Sequence, residues 1–145
     1  MNDVLYLIDN NVLGRLTPAQ RKSSFLRLEC VITSDVLYEA RGFSDELTGI
    51  PVKEVTTSVV GHLRDVMAQV APGDNSLVDL YANKGAADPV LVATALDMMD
   101  EEQQTLFPRE IVLVTGDKAV VSSAQSMGIK TLSGEQFSPL VCTDA

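Results

Sequence analysis

The chain has a single histidine, two cysteines and no tryptophan in 145 residues. With His62, Cys30 and Cys142 as the whole stock of imidazole and thiol groups, almost nothing is left from which to build a structural zinc site or a disulfide framework. A Ser-His-Asp or Cys-His triad would have to use His62, which lies in a helical pattern and reads better as a surface or packed histidine. No apolar run approaches the roughly 20 residues needed to span a bilayer. The opening Met1-Asn2-Asp3-Val4 lacks the basic start and cleavage site of a signal peptide. The expectation is a cytoplasmic protein with no membrane partner and reduced cysteines.

Positive charge is scarce as well. Eleven Lys and Arg face twenty Asp and Glu, for a net charge of -9. That argues against a protein that coats nucleic acid generally, because phosphate binding relies on Lys and Arg. It leaves room for a nuclease, since divalent cations can neutralise an acidic pocket locally. The charge is also uneven. Arg15, Arg21, Lys22 and Arg27 form a basic stretch without an acid, while Asp97, Asp100, Glu101 and Glu102 form an acidic one. Such runs are most often solvated faces, but the basic one closely follows Asp9.

What is present describes a globular domain: 46% apolar and 21% charged residues. The length suits one domain over 1–145, large enough for a sizeable core. Val4 to Ile8 is an unbroken apolar run, the pattern of a strand covered on both faces, and it ends on Asp9-Asn10-Asn11. A short turn follows through Leu16, and Thr17-Pro18 opens a helix in cap-plus-proline form. Cys30 to Thr33 reads as a second strand, with Ser34 capping the helix after it. Gly42 to Pro51 reads as a mobile connection, and Val52 to Val55 as a weaker third strand.

Val59, Val60, Leu63, Val66, Met67 and Val70 recur at helical spacing, and a shorter helix is expected over 76–83. Asp88-Pro89 opens another helix running towards Met99. Ile111 to Thr115 is the second strongly apolar strand, ending at Gly116-Asp117. A helix through Val120 and Ala124 stops at Gly128, Ile129 to Leu132 is a fifth strand, and the tail from Ser133 is weakly specified. Strands alternating with helices predict a three-layer α/β/α sandwich around a mostly parallel five-stranded sheet.

In such a sheet, strand C-termini and helix N-termini share one edge, where ligands bind. Asp9 and Asp117 end the two most apolar strands, Asp88 opens a helix and Glu39 lies about a turn into another. Taken singly, capping accounts for each aspartate and solvent exposure for Glu39. Taken together, the four can converge, and four adjacent carboxylates call for a cation. Mg²⁺ or Mn²⁺ suits an all-oxygen donor set and can support phosphodiester hydrolysis. Asn11 and Thr115, each two positions from a proposed ligand, are candidates to orient ligands or substrate.

Four segments carry a resemblance: Leu7-Ile8-Asp9-Asn10-Asn11-Val12-Leu13, Ser34-Asp35-Val36-Leu37-Tyr38-Glu39, Ala87-Asp88-Pro89-Val90-Leu91-Val92-Ala93-Thr94-Ala95 and Leu113-Val114-Thr115-Gly116-Asp117. In order and spacing, from residue 4 to about 132, the chain resembles the PIN-domain ribonucleases, which include VapC toxins. The resemblance implies a sheet ordered 3-2-1-4-5, and Asp9, Glu39, Asp88 and Asp117 as catalytic metal ligands. It further implies Mg²⁺ or Mn²⁺, an RNA substrate and an antitoxin protein as partner. The chain departs from the family pattern at Ala119 and Val120, where a further acidic or polar residue and an aromatic are common. Glu101 to Arg109 reads as an insertion. RNA contact is left chiefly to Arg15, Arg21, Lys22 and Arg27, with Arg41 and Lys84 in reserve.

Two other readings stand beside the ribonuclease. One is a binding module on the same fold without turnover. The other is a receiver or phosphatase, disfavoured because Asn11 occupies the second acidic place of an Asp-x-Asp motif. Amphipathic segments from 57 to 83 also leave a homodimer open.

Overall fold

The computed structural model describes residues 3–68 and 87–144. Its sheet has five strands: β1 (Val4–Ile8), β2 (Cys30–Thr33), β3 (Val52–Lys53), β4 (Glu110–Val114) and β5 (Lys130–Leu132). They lie in the order 3-2-1-4-5, and every pairing is parallel. The expected architecture is present, with helices covering the sheet on both faces. Burial explains why. Successive side chains of a strand point to opposite faces, yet the adjacent pairs Leu7 and Ile8 and Leu113 and Val114 are all fully buried. A central strand with both faces covered must therefore be apolar, as β1 is throughout and β4 is from Ile111 to Val114.

Between β1 and β2 lie three short helices, α1 (Asn10–Arg15), α2 (Pro18–Arg21) and α3 (Ser24–Glu29). The single helix expected after Thr17-Pro18 is broken in two. Thr17 and Gln20 form a reciprocal capping box, and the chain leaves the helix at Lys22 and Ser23 before restarting. α4 (Ser34–Glu39) follows β2 and is capped by Thr33, one residue earlier than expected, whose hydroxyl accepts from the Val36 N–H. The connection expected to be mobile contains a 3-10 helix over Arg41–Leu47. The third strand has two residues rather than four.

α5 (Thr57–Ala68) buries Val59 and Val66, two turns apart, on one face. α6 (Ala87–Gln103) differs: Val90 to Ala95 are almost all buried, because this helix packs against α5, β4 and α7 (Lys118–Ser126). It runs four residues past Met99, into the expected exposed end. α7 ends at Met127, and Gly128 supplies the positive φ of 79° that the following turn requires. The helix expected over 76–83, and Lys84, lie outside the described residues.

The tail is better defined than its sequence suggested. Ser133 and Gln136 form a second capping box on α8 (Gly134–Phe137). That short helix delivers Phe137, fully buried, against Tyr6 and Phe25 with ring centroids 5.2 and 6.1 Å away. Gln20 Nε2 then donates to the Ser138 carbonyl at 3.2 Å. Cys30 is buried and Cys142 exposed, and both are free thiols. Burial pushes the Cys30 thiol well above its ordinary value, so it remains an unreactive core group. No helix among the described residues is long and apolar enough to cross a membrane.

Candidate active site

Asp9 directly follows β1 and is buried. Its backbone N–H donates to the Val114 carbonyl at 2.9 Å, carrying the β1–β4 ladder one step beyond the Ile8–Val114 pair. The two most apolar strands therefore end level. The carboxylate caps α1: Oδ1 accepts from the Asn10 N–H at 2.7 Å. Oδ2 accepts from the Thr115 hydroxyl at 2.8 Å, joining residues 106 apart in sequence.

Thr115 binds on both sides. Its N–H donates to the Leu132 carbonyl of β5 at 3.0 Å, and its Oγ1 accepts from the Asp117 N–H at 3.1 Å. Asp117 in turn caps α7, Oδ1 accepting from Ala119 and Val120 at 2.9 and 3.3 Å. Its other oxygen, Oδ2, takes no hydrogen bond among the described residues. One buried hydroxyl thus ties the Asp9 carboxylate to the backbone N–H of Asp117. The capping expected of each aspartate is present, Asp9 on α1 and Asp117 on α7.

Thr115→Val tests this linkage. The swap keeps the shape but removes the hydroxyl's hydrogen bond to the buried Asp9 carboxylate and the acceptor of the Asp117 N–H. The expected cost is about 1–3 kcal/mol by denaturant titration. If the carboxylates serve catalysis, activity should also fall about 10–100-fold, as for groups that orient metal ligands.

The other two acids are placed differently. Glu39 is the last residue of α4 and is exposed, because the chain turns at Ala40 into the 3-10 helix. α4 packs beside α1, on the helix that Asp9 begins. Asp88 has its backbone in the first turn of α6, which starts at Ala87, before the expected cap. Its side chain lies outside the described residues. Among the described residues, no three His, Cys, Asp or Glu side chains stand together as a metal-holding group.

Asn11 is exposed and lines a small cavity with Val12, Arg15, Gly116 and Gly134. Sequence reasoning passed over Asn10. Its Oδ1 is buried with no hydrogen-bond partner among the described residues, directly after the buried carboxylate. The run Asp9-Asn10-Asn11 was the available signal. A buried acceptor without a donor is costly in a folded chain and marks a position where a cation or a water belongs.

The basic stretch divides. Arg21 is buried, and its Nη1 donates to the carbonyls of Leu13 and Leu16 at the end of α1. It pairs with Glu46 at 3.1 Å and lies over the Phe43 ring. Arg27 donates to the carbonyls of Arg21, Ser23, Glu46 and Thr48. These two arginines hold loops together, an occupation different from the RNA contact expected of them. Arg15 and Lys22 remain exposed. Arg21→Ala should cost about 2–3 kcal/mol, since it removes the partner of Glu46 and of the Leu16 carbonyl. The salt dependence of any RNA binding should not change. Thermal melts and salt titrations of binding check the two halves.

The acidic stretch is also locally answered. Asp100 bonds His62 Nε2 at 2.8 Å, Lys53 pairs with Glu101, and Arg109 with Glu102 at 3.4 Å. Asp97 is largely buried, and burial, then the neighbouring Glu101, raises its carboxyl above the usual range. Comparison with models of known families and with curated proteins finds no match for the chain.

Proposed function

We propose that the protein is a metal-dependent ribonuclease that hydrolyses RNA phosphodiester bonds. One observation carries the reading: Asp9 follows the end of β1, Asp117 follows the end of the adjacent β4, and the Thr115 hydroxyl joins the Asp9 carboxylate to the Asp117 N–H. The donor chemistry fits a hard divalent cation. All the candidate ligands are oxygens, Asp117 Oδ2 has no hydrogen bond among the described residues, and Asn10 Oδ1 is a buried acceptor without a donor. Asp9 and Asp117, with Glu39 and Asp88, are the residues that would hold Mg²⁺ or Mn²⁺. Such a cation supplies water activation and neutralises charge on the scissile phosphate.

The chain's own contribution is positional. Thr115 fixes the rotamer of Asp9 and the backbone of Asp117. Burial of Asp9 keeps water from competing for it. Asn11 and Arg15 stand on the open side, where a polynucleotide would approach. An antitoxin-type protein partner belongs to this reading, and the amphipathic segments from 57 to 83 leave a homodimer open.

The test is cleavage of a mixed RNA pool with Mg²⁺ or Mn²⁺, comparing wild type with Asp9→Asn. The competing reading, a non-cleaving RNA- or protein-binding module, draws on the exposure of Glu39 and on the methyl group at Ala119. It predicts no metal-dependent turnover of any RNA.

A further inference from the structure

We infer that the small cavity beside Asp117 is a subsite for a backbone phosphate of single-stranded RNA, adjacent to the phosphate that is cleaved. This rests on the ribonuclease reading and extends it to how the substrate is held. The cavity lies between α1 and the β4–α7 connection and is closed by the start of α8. Its walls are Asn11, Val12, Arg15, Gly116 and Gly134, and its volume is about 70 Å³. At ~30 Å³ per water, that is room for about two waters, the scale of one phosphate group rather than of a nucleobase.

Its chemistry is that of an anion site in an acidic protein. Arg21, Arg27, Arg41, Lys53, Arg109 and Lys130 are all engaged in hydrogen bonds or ion pairs within the chain. Arg15 is exposed and has no such partner among the described residues. It ends α1, six residues after the proposed metal ligand Asp9, and shares the cavity wall with Gly116, which directly precedes Asp117. Guanidinium offers a planar fork of donors matched to phosphate oxygens, and Asn11 adds an amide on the same wall. The acids that follow the two glycines, Asp117 and Glu135, do not line the cavity. A Cβ on Gly116 would meet nothing within 4 Å, so that wall stays open to an incoming chain. A cation one step from the acidic pocket fits a substrate whose next phosphate follows the first.

The experiment is a fluorescence-anisotropy titration of a short labelled single-stranded RNA with the full chain. Ca²⁺ replaces Mg²⁺, and salt is varied. Arg15→Ala is expected to weaken binding about five- to tenfold and to reduce the salt slope by about 0.7, the loss of one single-strand phosphate contact. Arg64→Ala, which removes an exposed cation on α5, is expected to change neither. Unchanged affinity in Arg15→Ala overturns the proposal. So does weaker binding with an unchanged slope, or no measurable RNA binding by the wild type. Displacement of RNA from the wild type by submillimolar inorganic phosphate, but not from Arg15→Ala, would assign the cavity to free phosphate and overturn the RNA assignment. Failure of the ribonuclease reading is separately visible, as equal cleavage by wild type and Asp9→Asn. The loss of salt slope needs no turnover.

Discussion

Asp9→Asn is expected to lower Mg²⁺- or Mn²⁺-dependent RNA cleavage by at least about 10²-fold, because the loss should exceed that for groups that only orient metal ligands. The fold should survive. Asparagine has the same shape, and its amide oxygen can still accept the Asn10 N–H that Asp9 Oδ1 accepts now. Its amide NH₂ would face Thr115, whose hydroxyl has a second lone pair to receive it while still accepting from Asp117. What disappears is a full negative charge in a buried position, the property a hard cation requires. Initial rates on a mixed RNA pool, with circular dichroism melts of the same samples, separate the two effects. Equal cleavage by wild type and variant would trace the activity to a contaminant and sink the reading.

Phe137→Ala should give the largest loss of stability, about 3–5 kcal/mol. The ring is fully buried and packs edge-on against Tyr6 and tilted against Phe25. α8, with four residues, has no stability of its own. Phe137 is its anchor, so truncation should leave a cavity beneath the sheet and release the tail. For a protein of this size each kcal/mol moves the melting temperature by about 2–4 °C, so a fall of roughly 10 °C or more is expected. Denaturant titration gives the free energy, and limited proteolysis after Phe137 reports release of the tail. A loss below about 1 kcal/mol would show that the aromatic cluster does not hold the core.

Sequence reasoning reached the sheet because its physics is local and redundant. Five apolar residues in β1 and four in β4 can only be strands covered twice, and the turns after them are polar. β3 was expected to reach Val55 although Lys53 and Glu54 interrupt its apolar pattern, and its pairing with β2 stops at Lys53. The tail escaped because its capping box, Ser133 with Gln136, was not read, and one buried ring decides whether the segment is ordered. Arg21 and Arg27 were expected on the substrate side because a run of charge in sequence says nothing about where backbone carbonyls end. Both carbonyls that Arg21 Nη1 binds, those of Leu13 and Leu16, lie at the end of α1.

At the site, Asp9, Thr115 and Asp117 were legible from strand ends alone. Asn10 was not, because its unpartnered oxygen depends on burial that no spacing rule reports. Glu39 was placed near a helix start, but α4 is only six residues long and leaves it at the far end.

The level strand ends at Asp9 and Thr115 also set an order of assembly. A ribosome delivers residues at about 5–20 per second, so β1 waits seconds for β4, its central neighbour. Contacts of such long range close late and slow folding. Until β4 and its loop emerge, the carboxylate of Asp9 has no Thr115 hydroxyl to fix it and no Asp117 beside it. The chain therefore cannot complete its acidic pair while most of it is still unmade. Any activity that depends on that pair begins only after synthesis has passed Asp117.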